Sequence, residues 1–187
     1  MSHNNIVIIG VSTGGPIALR KLFAGLPRLN AAVVVVLHIP QGMDYRIAKG
    51  IEAVSSMPVT LAEDGEFLRA GHIYLAPGGY HLLLEGNHRV VLAAGARINF
   101  VQPSVDLAMK SLSRPLKGQI IGVVLTGMGK DGAEGIRHIK SMGGITMAQD
   151  QKSSAIFGMP KAAAETGAVD FVIPPDKIGK KLVELLN

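Results

Sequence analysis

Three short runs of the chain are apolar at every position, and they set the strongest limit on what it folds into. They are Ile6–Ile9, Val33–Leu37 and Ile120–Leu125, and valine and isoleucine dominate them. A strand exposed on one face alternates apolar with polar residues, whereas a strand of a parallel sheet is covered on both faces and is apolar throughout. The runs therefore predict strands of a parallel sheet with helices on both faces.

Strand and helix patterns alternate along most of the chain, which supports this α/β prediction. Helical spacing of apolar residues or a preceding proline marks further helices, and two more apolar segments mark strands. The helices are expected near 16–26, 45–54, 104–112, 133–142, 160–166 and 176–186, and the strands at 145–148 and 169–173. No repeat, low-complexity segment or linker divides the sequence, so we expect one domain over residues 1–187.

The middle of the chain, Pro58–Arg97, has a different pattern. Short alternating segments are separated by turns at Pro77-Gly78-Gly79 and Glu85-Gly86-Asn87. Alternation with closely spaced turns is typical of antiparallel hairpins. We therefore predict a hairpin-rich insertion made of the segments Ile73–Ala76, His81–Leu84 and Val90–Leu92.

Composition excludes several classes of protein. The absence of cysteine rules out disulfides, thiolate metal sites and a cysteine nucleophile, and it agrees with a cytoplasmic location. The longest apolar run, Ala31–Leu37, is too short to cross a bilayer, and the N-terminus lacks the pattern of a signal peptide. The net charge of +5 is scattered and aromatics make up 4%, so we expect no nucleic-acid binding. An acidic protein partner explains the charge at least as well as nucleic acid does, and on charge alone a basic surface that only aids solubility is favoured over both.

The loops after the three buried runs each carry a residue capable of catalysis. Ser12 follows the first run, His38 the second and Asp131 the third. Ligands of parallel sheets bind beyond the C-terminal strand ends, and these residue types are the nucleophile, base and orienting carboxylate of a hydrolytic triad. Singly, each has an ordinary role as a helix cap or a core histidine. Their placement at three strand ends favours a triad.

The segment Gly10-Val11-Ser12-Thr13-Gly14 also suggests a phosphate-binding turn. A dinucleotide fingerprint, however, requires glycine where Ser12 stands and an acidic residue where His38 stands, and a P-loop requires Gly-Lys-Ser/Thr. The segment fits the G-x-S-x-G nucleophile elbow of α/β-hydrolases as well. The chain order Ser, His, Asp nevertheless differs from that fold and from both serine-protease families, which implies a separate lineage.

Six segments carry a more specific signal, in this order along the chain: IGVSTGGP, HIPQGM, LAEDGEFLRAGHIYLAPGGYH, PSVDLAMKS, IGVVLTGMGKDGAEG and MAQDQKSSAIFGMPKAAAETGAVD. Together they resemble the catalytic domain of the CheB-type protein-glutamate methylesterases of bacterial chemotaxis, over about Ile6 to Ile173. The resemblance implies a doubly wound α/β fold with a mostly parallel sheet. It also implies that Ser12, His38 and Asp131 form the family's triad.

The resemblance further implies a reaction and a substrate. The reaction is hydrolysis of glutamyl methyl esters, with deamidation of certain glutamines, through an acyl-enzyme that releases methanol and needs no metal or organic cofactor. The substrates are the cytoplasmic helices of methyl-accepting chemotaxis receptors. The resemblance suggests the Thr13 region and the backbone N–H of Met128 as donors to the oxyanion.

Two departures from the family affect these expectations. Members usually carry a phosphorylatable receiver domain before the catalytic domain, whereas here the first strand begins five residues after Met1, so we expect no regulation by phosphorylation in cis. Gln102 stands where the family has arginine, which predicts weaker receptor affinity or a different partner. Two alternatives therefore stay open: an esterase or amidase acting on another protein or a small ester, and a non-catalytic receptor-docking or nucleotide-sensing module.

Polar residues late in the chain have two possible roles. Gln149-Asp150 and Ser153-Ser154 precede Phe157-Gly158-Met159-Pro160, and they are expected either to line the same cleft or only to pack. The histidines other than His38 are expected at the surface or in structural roles. These are His3, His72, His81, His88 and His138.

Overall fold

The centre of the fold is a parallel sheet, seen in a computed structural model that describes residues 5–115 and 117–187. His3 lies outside the described residues. The strands in these ranges are β1 Ile6–Val11, β2 Ala32–Leu37, β3 Val59–Leu61, β4 His72–Leu75, β5 His81–Glu85, β6 Arg89–Ala93, β7 Ile120–Val124, β8 Ile145–Gln149 and β9 Phe171–Ile173. Within the described residues, seven of them form one sheet in the order β3-β4-β2-β1-β7-β8-β9, with every pair parallel. This confirms the predicted sheet.

Helices cover both faces of this sheet. They are α1 Gly15–Phe23, α2 Asp44–Glu52, α3 Val105–Lys110, α4 Ala133–Ser141, α5 Met159–Glu165 and α6 Pro175–Leu186. Apolar residues of α1, α2 and α6 pack in one core with alternate residues of the central strands. Those of α3, α4 and α5, together with the β5–β6 hairpin, pack in a second core on the other face. Burial on both faces explains why the central strands are apolar throughout.

The middle of the chain is only partly a hairpin insertion. Strands β5 and β6 pair antiparallel, as predicted. The segment Ile73–Ala76, however, supplies β4, which pairs in parallel with β2 and β3 in the main sheet. Strand β3 was not predicted. It is three residues long, and at the edge of the sheet its exposure alternates, so its sequence resembles that of a hairpin strand.

The order of strands places three C-terminal strand ends side by side. From β1 the chain adds β2 beside it, then β3 at the edge and β4 between β2 and β3, and it returns to add β7, β8 and β9 on the other side of β1. Strand β1 is therefore the switch point of the sheet, where such folds have a crevice for ligands. Among the described residues, no helix combines the length and apolar character needed to cross a bilayer.

Candidate active site

Ser12 and His38 are brought together by the register of β1 and β2. Val11 pairs with Leu37, so Ser12 and His38 occupy the next position beyond two adjacent strands, which run about 4.8 Å apart. The His38 amide donates to the Val11 carbonyl at 3.1 Å, and the Ser12 amide donates to the Thr126 carbonyl at 2.9 Å. The ladder thus extends past the strands and holds Ser12 between the ends of β2 and β7.

His38 contacts Asp131, whose loop follows β7. The distance from His38 Nε2 to Asp131 Oδ2 is 2.7 Å, and the exposed fractions of the two side chains are 11% and 6%. Because Nε2 faces the carboxylate, Nδ1 is the ring nitrogen left to accept a proton from Ser12. The ring is therefore reversed relative to chymotrypsin-type proteases, where the carboxylate binds Nδ1.

The Asp131 carboxylate is held by three further donors, all at the start of α3. Oδ1 accepts from the Ser104 hydroxyl at 3.1 Å and from the Asp106 amide at 2.9 Å, while Oδ2 accepts from the Val105 amide at 2.7 Å. Burial raises the pKa of Asp131, but the hydrogen bonds from His38 and the two amides outweigh burial and lower it overall. An ionised Asp131 can stabilise a protonated His38.

The turn that carries Ser12 has glycines for reasons of shape. Gly14 caps α1 with a φ of 82°, in the left-handed region that glycine favours. A Cβ at Gly10 would lie 2.2 Å from Val105 Cγ1, so that glycine lets α3 pack closely on β1. Among the described residues, the Ser12 hydroxyl has no hydrogen-bond partner. The glycines of this turn thus admit α3 and cap α1, while the role of the turn as a nucleophile elbow stays a prediction.

Thr13 and Met128 lie in two loops that are joined beside Ser12. The Thr126 hydroxyl donates to the Thr13 carbonyl at 2.9 Å and ties the loop after β7 to the turn after β1. In the described part of the chain, neither the Thr13 amide nor the Met128 amide donates to a protein group. Gly129, with a φ of 90°, allows the chain to turn after Met128. Both amides remain available as oxyanion donors, a role that stays a prediction.

Thr126 and Gln149 support the site; Thr126 was not predicted as part of it, and Gln149 was expected either to line the cleft or to pack. Gln149 is buried, and its Oε1 accepts from the Thr126 amide at 2.8 Å, while its Nε2 donates to the Ser153 carbonyl at 2.9 Å. Of the two roles open to Gln149, the structure thus gives it packing and hydrogen bonding behind the site. A polar residue at the end of an apolar strand was the available signal, as it was for His38.

Gly127 packs directly against Ser12, and its substitution tests whether this packing positions Ser12. A Cβ there would lie 2.7 Å from Ser12 Cβ and 2.4 Å from Met159 Sδ, closer than side-chain contacts allow. Gly127→Ala is therefore expected to displace Ser12 and to lower kcat for the ester hydrolysis predicted from the sequence at least tenfold, with a fall in Tm from overpacking. Steady-state kinetics and thermal unfolding measure the two effects.

The matched control is Gly50→Ala in α2, where the added methyl group meets no atom within 4 Å and alanine favours the helix. It should leave kcat unchanged and Tm unchanged or raised. Unaltered kcat in Gly127→Ala would contradict the close packing of Gly127 on Ser12.

An open cleft of about 210 Å³ adjoins His38. Its outer wall is the loop after β6, which contributes Arg97, Phe100 and Gln102. Phe100 is 93% exposed at this wall, and the Gln102 side chain donates to the Gly95 carbonyl at 3.0 Å. Gln102 thus turns its amide toward its own loop, and Arg97 is the cationic side chain of this wall.

His81, expected to be structural, is buried and connects this loop to the Asp131 pocket. Its Nε2 donates to the Ala96 carbonyl at 3.0 Å, and its Nδ1 accepts from the Ser104 amide at 3.1 Å. The cleft wall and the residues around Asp131 are therefore held by one side chain. Within residues 5–115 and 117–187, no three His, Asp or Glu side chains converge in a way that could hold a metal ion.

Comparison with known proteins gives consistent similarities. The sequence model of the CheB methylesterase family matches residues 7–182. A protein-glutamate methylesterase/protein-glutamine glutaminase of Pyrococcus horikoshii is 44% identical over 97% of this chain and 50% of its own length. A protein of the same description from Thermotoga maritima is 41% identical over 97% of this chain and 54% of its own length. The chain thus spans about half the length of these relatives.

A solved structure covers the same region. The crystal structure of the Thermotoga maritima CheB methylesterase catalytic domain superposes with a TM-score of 0.92 at 40% identity, covering 98% of this chain and 99% of that one. The similarity extends over the sheet, both helical layers and the loops that carry Ser12, His38 and Asp131.

Proposed function

Because the chain belongs to the CheB methylesterase family, we propose that it hydrolyses methyl esters of glutamate side chains in proteins and deamidates glutamine side chains. The observation that carries this proposal is the His38–Asp131 pair, 2.7 Å apart beside Ser12 at the switch point of the sheet. Nucleophilic acyl transfer requires a serine placed beside a histidine that in turn contacts a buried carboxylate.

The reaction begins when Ser12 Oγ attacks the ester carbonyl and His38 Nδ1 accepts its proton. Asp131 stabilises the resulting imidazolium through Nε2. The amides of Thr13 and Met128 donate to the oxyanion of the tetrahedral intermediate. The intermediate collapses as the imidazolium returns the proton to the leaving methoxide, which departs as methanol. Water, activated by His38, then hydrolyses the acyl-enzyme and restores the glutamate. With glutamine, ammonia leaves instead.

The proposed substrates are the cytoplasmic helices of methyl-accepting chemotaxis receptors. The cleft is lined by His38 and by the loop after β6, so a helix that rests on this wall would present its side chains next to His38. Arg97 gives this wall a positive charge, which suits a segment rich in glutamate. The test is methanol release from a methylated receptor fragment, with a small methyl ester assayed in parallel.

A second candidate is an esterase of the same chemistry that acts on a different substrate. It is favoured by the uncharged Gln102, whose side chain is bound to Gly95 within its own loop. Turnover of the small ester with none of the receptor fragment would support this candidate over the first.

Arg97 separates the two candidates. Arg97→Glu is expected to raise KM for an acidic receptor helix about tenfold at low salt, because it reverses a charge at the cleft wall, and to leave kcat and small-ester hydrolysis unchanged. The measurement is KM for both substrates at two ionic strengths.

Arg114→Glu is the matched control for Arg97→Glu, since it makes the same charge change on an exposed side chain. Arg114 lies before β7, at the N-terminal ends of the strands and so away from the cleft. It should leave both KM values unchanged. Equal effects of the two substitutions would show that net charge, rather than the cleft wall, governs binding.

A further inference from the structure

Helices α3 and α4 are capped by each other's aspartates. Asp131 lies two residues before the start of α4, yet its carboxylate accepts from the amides of Val105 and Asp106 at the start of α3. Asp106 lies in α3, and its Oδ1 accepts from the amides of Gly132 and Gly135 at the start of α4, at 2.9 and 2.7 Å. The two helix ends are thus joined through two carboxylates.

Helix α4 depends on Asp106 for its cap. Its own N-cap is Gly132, which has no side chain, and the first amides of any helix lack partners within the helix. Asp106 supplies the acceptor from outside. Of the two bonds, the one from the Gly132 amide bears on the position of Asp131, because that nitrogen belongs to the peptide bond that joins Asp131 to Gly132. It therefore holds the backbone from which the Asp131 side chain extends.

The packing of α3 on α4 leaves little room for adjustment. A Cβ at Gly135 would lie 2.6 Å from Met109 Cβ, and one at Gly132 would lie 3.1 Å from Val105 Cγ1. The two helices touch at glycines, so neither slides past the other without steric overlap. Any loss of the bonds between them is expected to rotate or shift the Asp131 backbone rather than to be absorbed by the side chains.

We propose that Asp106 is a positioning residue for the proposed general base: by holding the Asp131–Gly132 peptide against α3, it keeps the Asp131 carboxylate on His38 Nε2. The carboxylate of Asp106 touches neither His38 nor Ser12 and acts through Asp131. The inference rests on the proposed function only for its kinetic test, because the geometry of the His38–Asp131 bond can be measured without a substrate.

Asp106→Ala removes the acceptor and is expected to lower kcat about 10- to 100-fold with KM unchanged, because a displacement of about 1 Å costs roughly this much in rate. Asp106→Asn keeps an oxygen in place of Oδ1 and should restore kcat to within about threefold of the wild type. This rescue would show that the hydrogen-bond acceptor of Asp106, rather than its negative charge, is required. The amides of Gly132 and Gly135 both donate to Oδ1, so an oxygen at this position is expected to be sufficient without the charge. Burial and the neighbouring Asp131 raise the pKa of Asp106.

The second readout is the low-field proton NMR signal of the His38–Asp131 hydrogen bond, which requires no turnover. It should be present in the wild type and in Asp106→Asn and be lost or shifted in Asp106→Ala. The matched control is Asp170→Ala, which also removes a carboxylate that accepts a main-chain amide, that of Thr146 at 3.0 Å. Thr146 lies near the start of β8, at the end of the strands opposite to the site. This variant should lower Tm but leave kcat and the signal unchanged.

If Asp106→Ala lowers Tm as Asp170→Ala does while kcat and the NMR signal stay unchanged, Asp106 is only a helix cap and the proposal is wrong. If Asp106→Ala does not fold, Asp106→Asn decides: a large loss of kcat in that folded variant contradicts the proposal. If no variant, wild type included, turns over ester while the NMR signal behaves as expected, the proposed function fails and the positioning role stands.

Discussion

Ser12→Ala is expected to lower the rate of ester hydrolysis about 10⁴-fold or more, as the loss of a nucleophile does in serine hydrolases. The Ser12 hydroxyl bonds to no other described residue, and its turn is held by backbone bonds, among them Gly15 N–H to the Ser12 carbonyl at 2.8 Å. Removing the hydroxyl should therefore leave the fold and its Tm unchanged. Methanol release from a methylated receptor fragment and thermal unfolding measure the two effects.

Ser141→Ala is the matched control for this substitution. Ser141 is the last residue of α4, at the end of that helix remote from Asp131, and its hydroxyl donates to the His138 carbonyl at 2.8 Å. Its activity should equal that of the wild type. A serine-directed phosphonate should label the wild type and Ser141→Ala but not Ser12→Ala. Full activity in Ser12→Ala would disprove the proposed mechanism, and absence of labelling at Ser12 in the wild type would favour a non-catalytic binding module.

Asp131→Asn is expected to have the second largest effect, a fall in kcat of about 10³- to 10⁴-fold. An amide nitrogen in place of either oxygen would point its hydrogens at donors, since Oδ1 faces Ser104 and Asp106 and Oδ2 faces Val105 and His38. The variant should also lose about 1–3 kcal/mol of unfolding free energy, the cost of leaving buried donors without an acceptor.

The same substitution should change how stability depends on pH. The pKa of Asp131 is lowered in the folded protein, so its ionised form stabilises the fold above the unfolded value of about 3.9, and this contribution is lost as pH falls through the folded value. Asp131→Asn lacks the group, so its unfolding free energy should fall less on acidification than that of the wild type. Urea unfolding measured between neutral pH and pH about 3 tests this.

The control for activity is Asp170→Asn, which changes a carboxylate that also accepts a main-chain amide, from Thr146, but lies far from Ser12. It should cost stability without lowering kcat. If Asp131→Asn keeps the wild-type kcat, Asp131 does not orient His38 and the contact at 2.7 Å has no part in the reaction.

Much of the fold was predictable because burial leaves a local record in the sequence. A strand covered on both faces is apolar at each position, so β1, β2 and β7 were placed within two residues of their observed ends. Strands at the sheet edge leave a weaker record. Strand β3 is half exposed, and β4 was assigned to the hairpin insertion because its short apolar segment does not reveal whether its partner is parallel.

The residues of the site also divide into those that could be predicted from the sequence and those that could not. The sequence by itself determined that a serine, a histidine and an aspartate follow three buried strands, because parallel strands must present their C-terminal ends at one edge. Only the tertiary structure decided that the aspartate faces Nε2 of His38, 93 residues away, and that the side chains of Asp106 and Gln149 accept amides of the loops around it. Such contacts depend on how α3 and α4 pack, and packing between distant segments leaves no periodic pattern in a single sequence.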